Sequence, residues 1–298
     1  MRSTTMSGVP AAAGSRTASL GITQRRRLLN LMAYGLLILA VVIICLPLVW
    51  MLTVSVRPNL EVMKIPPTWI PEIFTLEAYQ KIFTNEKYVV VFLNTMGISL
   101  VVTALSLFLG ALAAYALARF NFIGQRVVMM FLITTQMFPL VLLCIPYFRT
   151  FVMLGLYDTR TSLVIVYLSF TLPFCILMLR SYFVNISPSM EEAAMVDGCT
   201  RMGAIFRTLI PLSYPAFVGA GLYTFLLAWN EFLFAVVLIE SWENRVLTMA
   251  IYSLLAEFVT DWNTMMAFSV LASLPLVIAF IFLQKYMVQG MTAGALTS

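Results

Sequence analysis

The chain has 298 residues, of which 61% are hydrophobic and only 10% are charged, and its formal net charge is +5. Soluble domains carry about 25% charged residues, so this composition excludes a water-soluble protein and makes the lipid bilayer the expected solvent. The basic residues are spread between apolar segments, so the positive charge does not indicate a nucleic-acid partner. No histidine is present, which removes the commonest metal ligand and general base.

The chain divides into two tails and a membrane domain. Residues 1–27 are predicted to form a disordered cytoplasmic tail, and residues 289–298 a cytoplasmic C-terminal tail. Between them, residues 28–288 contain six apolar segments, each long enough as a helix to cross an apolar layer of about 30 Å. The six transmembrane helices are predicted at residues 28–54, 89–118, 127–147, 162–183, 214–239 and 265–287.

The distribution of basic residues predicts the orientation of these helices. With both termini inside, eleven basic residues lie on the inner side and seven on the outer side. Cytoplasmic loops carry the excess of Lys and Arg, so the N- and C-termini are predicted to be cytoplasmic. The inner set is Arg2, Arg16, Arg25, Arg26, Arg27, Arg119, Arg126, Arg180, Arg201, Arg207 and Lys285, and the outer set is Arg57, Lys64, Lys81, Lys87, Arg149, Arg160 and Arg245.

Two connections between the predicted helices are long. The extracytoplasmic loop 55–88 contains a proline-rich stretch and then an amphipathic stretch near Leu76–Phe83. The cytoplasmic loop 187–211 contains signals for a helix, a tight turn and a second short helix. Two prolines near mid-depth, Pro139 and Pro173, are predicted to kink their helices.

The first short helix of the cytoplasmic loop has a predicted start and end. Ser187 is expected to cap its N-terminus, and Pro188 suits the first helical position. Glu191 and Glu192 lie in the early turns, where the helix dipole favours acidic side chains. Gly198 is expected to adopt the left-handed conformation that ends a helix. By spacing alone, these signals are more typical of an ordinary surface helix than of a docking element.

Several residues of this loop resemble the EAA loop of binding-protein-dependent ABC importer permeases. The matching residues are Glu192-Ala193-Ala194, Asp197-Gly198, Ile205-Phe206-Arg207 and Ile210-Pro211. In that family the loop docks into a cleft on the cytoplasmic ATPase subunit, so the resemblance implies the same role here. Cys199 and Thr208 depart from the usual family residues, and both are small changes.

The resemblance extends over most of the chain and points to the carbohydrate branch of the family, of the MalG-like type. It is carried by Phe74–Tyr79, Ala114–Phe120, Gly155–Thr159, Trp229–Phe232 and Gln284–Ala295. It implies an all-α, polytopic fold with six transmembrane helices, the type I ABC importer permease fold.

The resemblance also implies a function, namely the permease subunit of an ATP-binding-cassette sugar importer that forms half of the translocation pathway in a prokaryotic cell (inner or plasma) membrane. The implied partners are a second permease subunit (a distinct homologue), two copies of an ATPase subunit, an extracytoplasmic solute-binding protein, the sugar and the bilayer. No catalytic, metal-binding or cofactor-binding residue is expected, because ATP and Mg²⁺ belong to the partner ATPase. A phosphate-binding loop needs glycine before lysine, and none of the four lysines follows a glycine.

Two alternatives remain open at this point. The first is an ion-coupled secondary transporter, which usually hides ionisable residues near the membrane midplane. Glu231 in the fifth predicted helix is instead expected near the outer interface. The second alternative is an ABC permease for a non-sugar solute such as a polyol phosphate.

The candidate functional residues fall into four groups. The ATPase-coupling loop contributes Glu191, Glu192, Ala193, Ala194, Asp197, Gly198, Phe206, Arg207 and Pro211. Candidates for the substrate path, each of which also suits helix–helix packing, are Gln136, Tyr167, Thr171 and Tyr223. Candidates for contact with the binding protein are Trp242 and Trp262, and candidates for ATPase contact in the tail are Gln289, Gly290 and Thr292.

Overall fold

The computed structural model describes the backbone of residues 16–255 and 261–295, and this part of the chain contains helices and turns but no strand. The predicted all-α fold class is therefore confirmed. Its α-helices are α1 (Arg16–Ser55), α2 (Asn59–Val62), α3 (Glu77–Thr84), α4 (Glu86–Arg119), α5 (Gln125–Met137), α6 (Cys144–Met153), α7 (Arg160–Val184), α8 (Ser189–Val196), α9 (Arg201–Ala204), α10 (Ile210–Leu212), α11 (Tyr214–Trp229), α12 (Leu233–Leu238), α13 (Leu247–Leu255) and α14 (Trp262–Ala295). Short 3₁₀ helices cover Leu140–Leu143 and Trp242–Asn244, and a π-helical turn covers Ile205–Leu209.

The long apolar helices account for the predicted membrane crossings. Within the described residues, four helices are each long and apolar enough to span a membrane: Arg25–Ser55, Glu86–Arg119, Arg160–Val184 and Trp262–Lys285. Two further pairs of consecutive helices are long and apolar enough to span a membrane only when the two members are taken together. They are α5 with Leu140–Met153, bent by 98°, and Arg201–Leu212 with α11, bent by 81°. Counting each bent pair as one crossing gives six, but the second pair covers residues 201–229 rather than the predicted 214–239, so its first part belongs to the predicted cytoplasmic loop.

The third predicted helix, at residues 127–147, is broken rather than continuous. Helix α5 ends at Met137, and Phe138 and Pro139 adopt extended backbone before the chain turns by 98°. Proline lacks an amide hydrogen and its ring clashes with the preceding turn, so a break is its expected consequence. The kink predicted at Pro139 is thus a full break, whereas α7 continues as one helix through Pro173.

The fifth predicted helix, at residues 214–239, is also divided. Helix α11 ends at Trp229, and the short helix α12 follows after a break. The Glu231 carboxylate accepts the backbone N–H groups of Phe234 and Ala235, at 2.9 and 3.2 Å. These bonds satisfy donors that the start of α12 leaves unpaired, so Glu231 serves as a local helix cap.

Both predicted tails are helical in their described parts. Helix α1 already begins at Arg16, so residues 16–27 extend the first membrane helix and do not form the predicted disordered tail. Helix α14 continues to Ala295, so residues 289–295 extend the last helix. Neither extension contains proline, and a helix adds residues readily once its first turn has formed.

Helices α4 and α7 share the most extensive helix–helix contact among the described elements. Gly110 of α4 lies against Cys175 of α7, where an added Cβ atom would come within 2.9 Å of the cysteine sulfur. The Ser106 hydroxyl hydrogen-bonds the Thr171 hydroxyl at 3.0 Å. Small residues and hydroxyl pairs of this kind allow membrane helices to approach closely.

The amphipathic stretch predicted in the outer loop is helix α3. Its buried side chains, Ala78 and Ile82, belong to one apolar cluster with Phe268 of α14. Lys81 on the same helix pairs with Asp261. The extracytoplasmic loop is thereby fixed to the start of the last membrane helix.

Candidate coupling site

The cytoplasmic loop forms a short helix, a tight turn and a second helical segment. Helix α8 starts after Pro188, whose carbonyl accepts the N–H groups of Glu191 and Glu192 at 3.0 and 3.1 Å. The predicted cap by the Ser187 side chain is wrong, because its hydroxyl pairs with the Ser189 hydroxyl at 2.8 Å and not with a backbone N–H. The fixed φ of proline suits the start of a helix without such a cap.

Gly198 ends α8 in the predicted left-handed conformation, with a φ of +91°. Its N–H donates to the Met195 carbonyl at 3.1 Å, and the Cys199 N–H donates to the Ala194 carbonyl at 3.0 Å. This pair of bonds is the Schellman arrangement, which satisfies the last carbonyls of a helix. The turn sets the angle between α8 and the segment that follows.

The second segment is anchored in an apolar cluster of the helix bundle. Thr200 caps α9 by accepting the Gly203 N–H at 3.1 Å, and a π-helical turn then leads into α10. Ile205 and Leu209 of this turn are buried, and they belong to one apolar cluster with Phe183 of α7. π-Helical turns are frequent at functional positions. A displacement of this segment must therefore displace α7 or repack the cluster.

The two adjacent glutamates at the start of α8 lie in different environments. Glu191 is buried, with 4% of its surface exposed, and its carboxylate lies 2.7 Å from the guanidinium of Arg119 at the end of α4. Glu192 is exposed, because successive residues on a helix point about 100° apart. No local signal in the sequence marks the buried pair, since its members are separated by 72 positions.

The exposed surface of the loop combines apolar and charged side chains. Val196 is 87% exposed and Phe206 is 50% exposed, and Ala194 is half-buried. Exposed apolar side chains bordered by charged ones are typical of a protein-binding surface. We call this surface the coupling face, and it consists of Glu192, Ala193, Val196, Asp197, Gly198, Phe206, Arg207 and Pro211.

Two of the four candidates for the substrate path are buried inside the chain. Tyr167 is only 1% exposed and belongs to the apolar cluster that contains Phe234 of α12. Thr171 is fully buried, and its hydroxyl donates to the Tyr167 carbonyl at 2.8 Å and pairs with Ser106. These contacts are those of helix–helix packing, the alternative role that the sequence left open.

The other two candidates, Gln136 and Tyr223, are exposed and lie beside α7. The Gln136 amide donates to the Phe170 carbonyl at 3.2 Å, and the Tyr223 ring lies 4.0 Å from the Phe174 ring between centroids. Gln136 thus contacts the backbone of α7, and Tyr223 contacts a side chain of the same helix. An amide and a phenol can both hydrogen-bond a polar solute.

On the outer side, Asp158 fixes the connection between α12 and α13. Its carboxylate accepts the N–H groups of Glu240 and Ser241 and the Ser241 hydroxyl, all at 3.0 Å. The Asn244 side chain donates to the Asp158 carbonyl at 2.6 Å. Burial acts to raise the pKa of Asp158, but these hydrogen bonds outweigh it and hold the pKa below its ordinary value. The sequence did not reveal this contact, because its partners are 82 positions apart.

Acidification is expected to loosen the segment around Ser241. Because the pKa of Asp158 is lowered in the folded chain, its stabilising effect is present above the ordinary aspartate pKa of about 3.9 and is lost as the pH falls through the lower folded value. Asp158→Ala should remove this effect at every pH, about 2 kcal/mol for bonds to a charged acceptor. Amide hydrogen exchange at Glu240 and Ser241 should then be faster at pH 7, and unchanged exchange would contradict the assignment.

The two tryptophan candidates lie next to the ends of helices. Trp242 is half-buried, and the Arg245 guanidinium lies 4.4 Å from its ring centroid. Trp262 begins α14, and its backbone N–H donates to the Asn59 side chain at 3.1 Å. Aromatic residues are common at such positions in membrane proteins.

The tail candidates Gln289, Gly290 and Thr292 lie in the last turns of α14, and their side chains lie outside the described residues. The four cysteines are free thiols. In the described part of the chain, no group of three or more His, Cys, Asp or Glu side chains is placed to hold a metal ion.

Comparison with known proteins identifies the class that this fold and coupling face define. Residues 106–293 match the family described as the binding-protein-dependent transport system inner membrane component. The match covers more than half of the chain, so the chain belongs to this family. It is therefore a permease subunit of an ABC transporter in the inner membrane, and a transport subunit rather than an enzyme, as predicted.

Relatives match nearly the whole chain. The chain is 36% identical over 274 residues to the inner membrane ABC transporter permease protein YcjP of Escherichia coli (strain K12), covering 91% of this chain and 98% of that protein. It is 36% identical over 250 residues to the sulfoquinovosyl glycerol transport system permease protein SmoH of Agrobacterium fabrum, covering 84% and 88%. It is 34% identical over 272 residues to the trehalose/maltose transport system permease protein MalG of Thermococcus litoralis, covering 89% and 96%.

Solved structures share the fold. A chain in the crystal structure of a bacterial ABC transporter involved in the import of alginate matches with a TM-score of 0.74 at 24% identity, covering 88% of this chain and 97% of that chain. The alginate transporter in complex with an alginate pentasaccharide-bound periplasmic protein matches with a TM-score of 0.65 at 15% identity, covering 87% and 93%. The predicted type I ABC importer permease fold is thereby confirmed.

Proposed function

We propose that this chain is the permease subunit of a sugar importer and forms half of its translocation pathway. The coupling face carries the proposal, because a membrane component that does not bind ATP needs a surface on which a separate ATPase can act. The names of the relatives SmoH and MalG, which specify sulfoquinovosyl glycerol and trehalose/maltose, support a sugar or sugar-like solute. A second permease subunit, two ATPase subunits with their ATP and Mg²⁺, and an extracytoplasmic binding protein complete the importer.

The coupling face has the chemistry of a docking surface. The small side chain of Ala193 lets a partner approach the backbone of α8. Val196 and Phe206 supply exposed apolar surface, whose burial against a partner is favourable. Glu192 and Asp197 add negative charge that suits basic residues at the rim of an ATPase cleft. The loop therefore docks by apolar contact at its centre and by ion pairs at its edge.

Transport proceeds by alternating access driven by closure of the two ATPase subunits. Closure moves the coupling faces of the two permease subunits together, and the buried Ile205 and Leu209 carry this movement into the membrane helices. Nucleotide can shift the equilibrium between the inward- and outward-open states only through a difference in contact between them. The coupling face must consequently stay docked in both states.

Replacing Gly198 by valine is expected to weaken ATPase docking through backbone strain. An added Cβ atom at Gly198 would meet nothing within 4 Å in this chain, so it makes no clash inside the permease subunit. A left-handed conformation costs an L-residue roughly 1–2 kcal/mol, and a β-branched one more. Titration of the purified permease pair with ATPase subunit should show weaker binding for Gly198→Val. Gly198→Asn, which tolerates this conformation, should bind nearly as well as wild type, and equal binding by both variants would contradict the prediction.

Gln136 and Tyr223 are the substrate-path candidates that an entering solute can reach. Both side chains are exposed and contact α7, and an amide and an aromatic ring can contact a sugar. Tyr167 and Thr171 support this pathway from within the helix packing, since both are buried. The partner permease supplies the rest of the sugar contacts.

Two outer tryptophans and the C-terminal residues complete the proposed contacts. Trp242 and Trp262 contact the binding protein on the outer side, a role supported by their place beside the outer ends of helices. The tail residues Gln289, Gly290 and Thr292 contact the ATPase subunits. Extension of α14 to Ala295 supports this last contact, because it continues the helix beyond the predicted membrane segment.

Glu231, the carboxylate in the fifth predicted helix, gives no support to ion coupling. The Glu231 carboxylate is engaged by the N–H groups of Phe234 and Ala235, so it caps a helix.

An uptake experiment distinguishes a sugar from a polyol phosphate as the transported solute. The complete complex, reconstituted in vesicles with its binding protein, should take up a labelled sugar, and this uptake should resist competition by polyol phosphates. Uptake of a polyol phosphate but of no sugar would overturn the sugar assignment.

A further inference from the structure

We propose that Arg119 and Glu191 form a mechanical link that transmits movement of the coupling face to helix α4. Arg119 is the last residue of α4, and its Nε donates to Glu191 Oε1 at 2.8 Å. Its Nη2 lies 2.7 Å from the same oxygen and donates to the Ile186 carbonyl at 3.0 Å. One guanidinium thus holds both the first turn of α8 and the chain that leads into it.

Burial makes this pair a rigid connection. The side chains of Arg119 and Glu191 are only 9% and 6% exposed, so water screens their attraction little. If either partner moved away, the other would keep an unpaired charge in a buried site, which is strongly unfavourable. The planar guanidinium also restricts the direction in which its partners can lie. The first turn of α8 therefore moves together with the end of α4.

The end of α4 is also a meeting point for other cytoplasmic segments. The Leu117 carbonyl accepts the Gln125 amide of α5 at 2.8 Å and the Arg180 Nε of α7 at 3.2 Å. The Arg201 guanidinium of α9 lies 5.0 Å from the centroid of the Phe120 ring. Both short helices of the cytoplasmic loop, as well as α5 and α7, thus contact the last residues of α4 or the residue that follows them.

Toward its outer end, the same helix contacts the segment between α12 and α13. The Asn94 amide donates to the carbonyls of Glu243 and Arg245 at 2.7 and 3.0 Å, and its oxygen accepts the Arg160 guanidinium at 3.0 Å. Asn94 and Arg119 are 25 residues apart on α4, which is about 38 Å along the helix at 1.5 Å per residue. Helix α4 therefore connects the Arg119–Glu191 pair inside with the 239–246 segment outside. This makes Glu191 a positioning residue that acts through α4, whereas Glu192 meets the ATPase itself.

Adjacent isosteric substitutions separate these two roles. This inference rests on the proposed function, so the variants are compared with a wild-type complex that couples ATP hydrolysis to uptake. The two quantities measured are ATPase binding and the solute transported per ATP hydrolysed. Glu191→Gln should leave ATPase binding nearly unchanged and lower the solute transported per ATP hydrolysed by roughly tenfold, within the usual range of coupling between sites. Glu192→Gln, the matched control on the exposed side of the same turn, should instead weaken ATPase binding. If Glu191→Gln lost ATPase binding as Glu192→Gln does, or transported like wild type, the link would be overturned.

A double-mutant cycle tests the pairing directly. Arg119→Gln should reproduce the uncoupling of Glu191→Gln, and the double variant should be no worse than either single variant, because the link is already lost. Effects that multiply in the double variant would show that the two residues act separately and would refute the link. Arg119→Lys keeps the charge and should retain part of the coupling. If Arg119→Gln does not fold, Arg119→Lys takes its place in the cycle. Failure of the wild-type complex to couple ATP to uptake would refute the proposed function instead.

Discussion

Glu192→Ala is expected to detach the ATPase from the permease and to uncouple ATP hydrolysis from uptake. Glu192 is exposed on the coupling face, where its carboxylate can pair with a basic residue at the rim of the ATPase cleft. Loss of one partner of such an interface pair costs about 2 kcal/mol or more, which is roughly a thirtyfold weaker complex. Titration of the purified permease pair with ATPase subunit measures this change.

A second exposed glutamate provides the control for this experiment. Glu77 lies on α3 in the outer loop, and Glu77→Ala removes the same charge without touching the coupling face. This variant should bind ATPase and transport as wild type does. A purified Glu192→Ala complex that bound ATPase and transported as well as the Glu77→Ala complex would remove Glu192 from the coupling mechanism.

Arg57→Leu is expected to open the extracytoplasmic loop. Arg57 is only 1% exposed, and its guanidinium donates to the carbonyls of Thr68 and Trp69 at 2.8 and 3.3 Å. Each hydrogen bond to a charged group contributes about 1.5 kcal/mol or more, so the loss of both costs about 3 kcal/mol. The Thr75 N–H, which bonds the Val56 carbonyl at 2.8 Å, reports on this opening. Its hydrogen exchange should become roughly a hundredfold faster.

An exposed ion pair in the same loop is the matched control. Lys64 pairs with Glu72, and both side chains are about half exposed, so the pair contributes little to stability. Lys64→Ala should leave exchange at Thr75 close to the wild-type rate. If Arg57→Leu also left hydrogen exchange at Thr75 unchanged, the buried arginine would not hold the loop together.

The sequence allowed the long helices and two local features to be predicted. Apolar runs of about 20 residues have few structural outcomes in a bilayer, so the crossings followed from composition alone. A kink at Pro139 and the left-handed Gly198 followed from the backbone limits of proline and the freedom of glycine, but the full break at Pro139 was not predicted. The divided fifth span did not follow, because apolarity does not show where α11 ends and Glu231 caps the next helix.

The helix and turn of the cytoplasmic loop were predicted, but the direction of its side chains was not. The adjacent residues Glu191 and Glu192 look equivalent in the sequence, yet only contact with Arg119 distinguishes the buried one from the exposed one. The substrate-path candidates show the same difficulty. A membrane helix is apolar on every side, so hydrophobic periodicity does not reveal that Tyr167 is buried and Tyr223 is exposed.

We propose that a separate ATPase drives this permease through the coupling face. The most direct test compares solute accumulation in vesicles that contain the two permease subunits with and without the ATPase subunits, in the presence of binding protein and internal ATP. The solute should accumulate against its gradient only when the ATPase is present and ATP is hydrolysed. Accumulation in vesicles that lack the ATPase would contradict the claim.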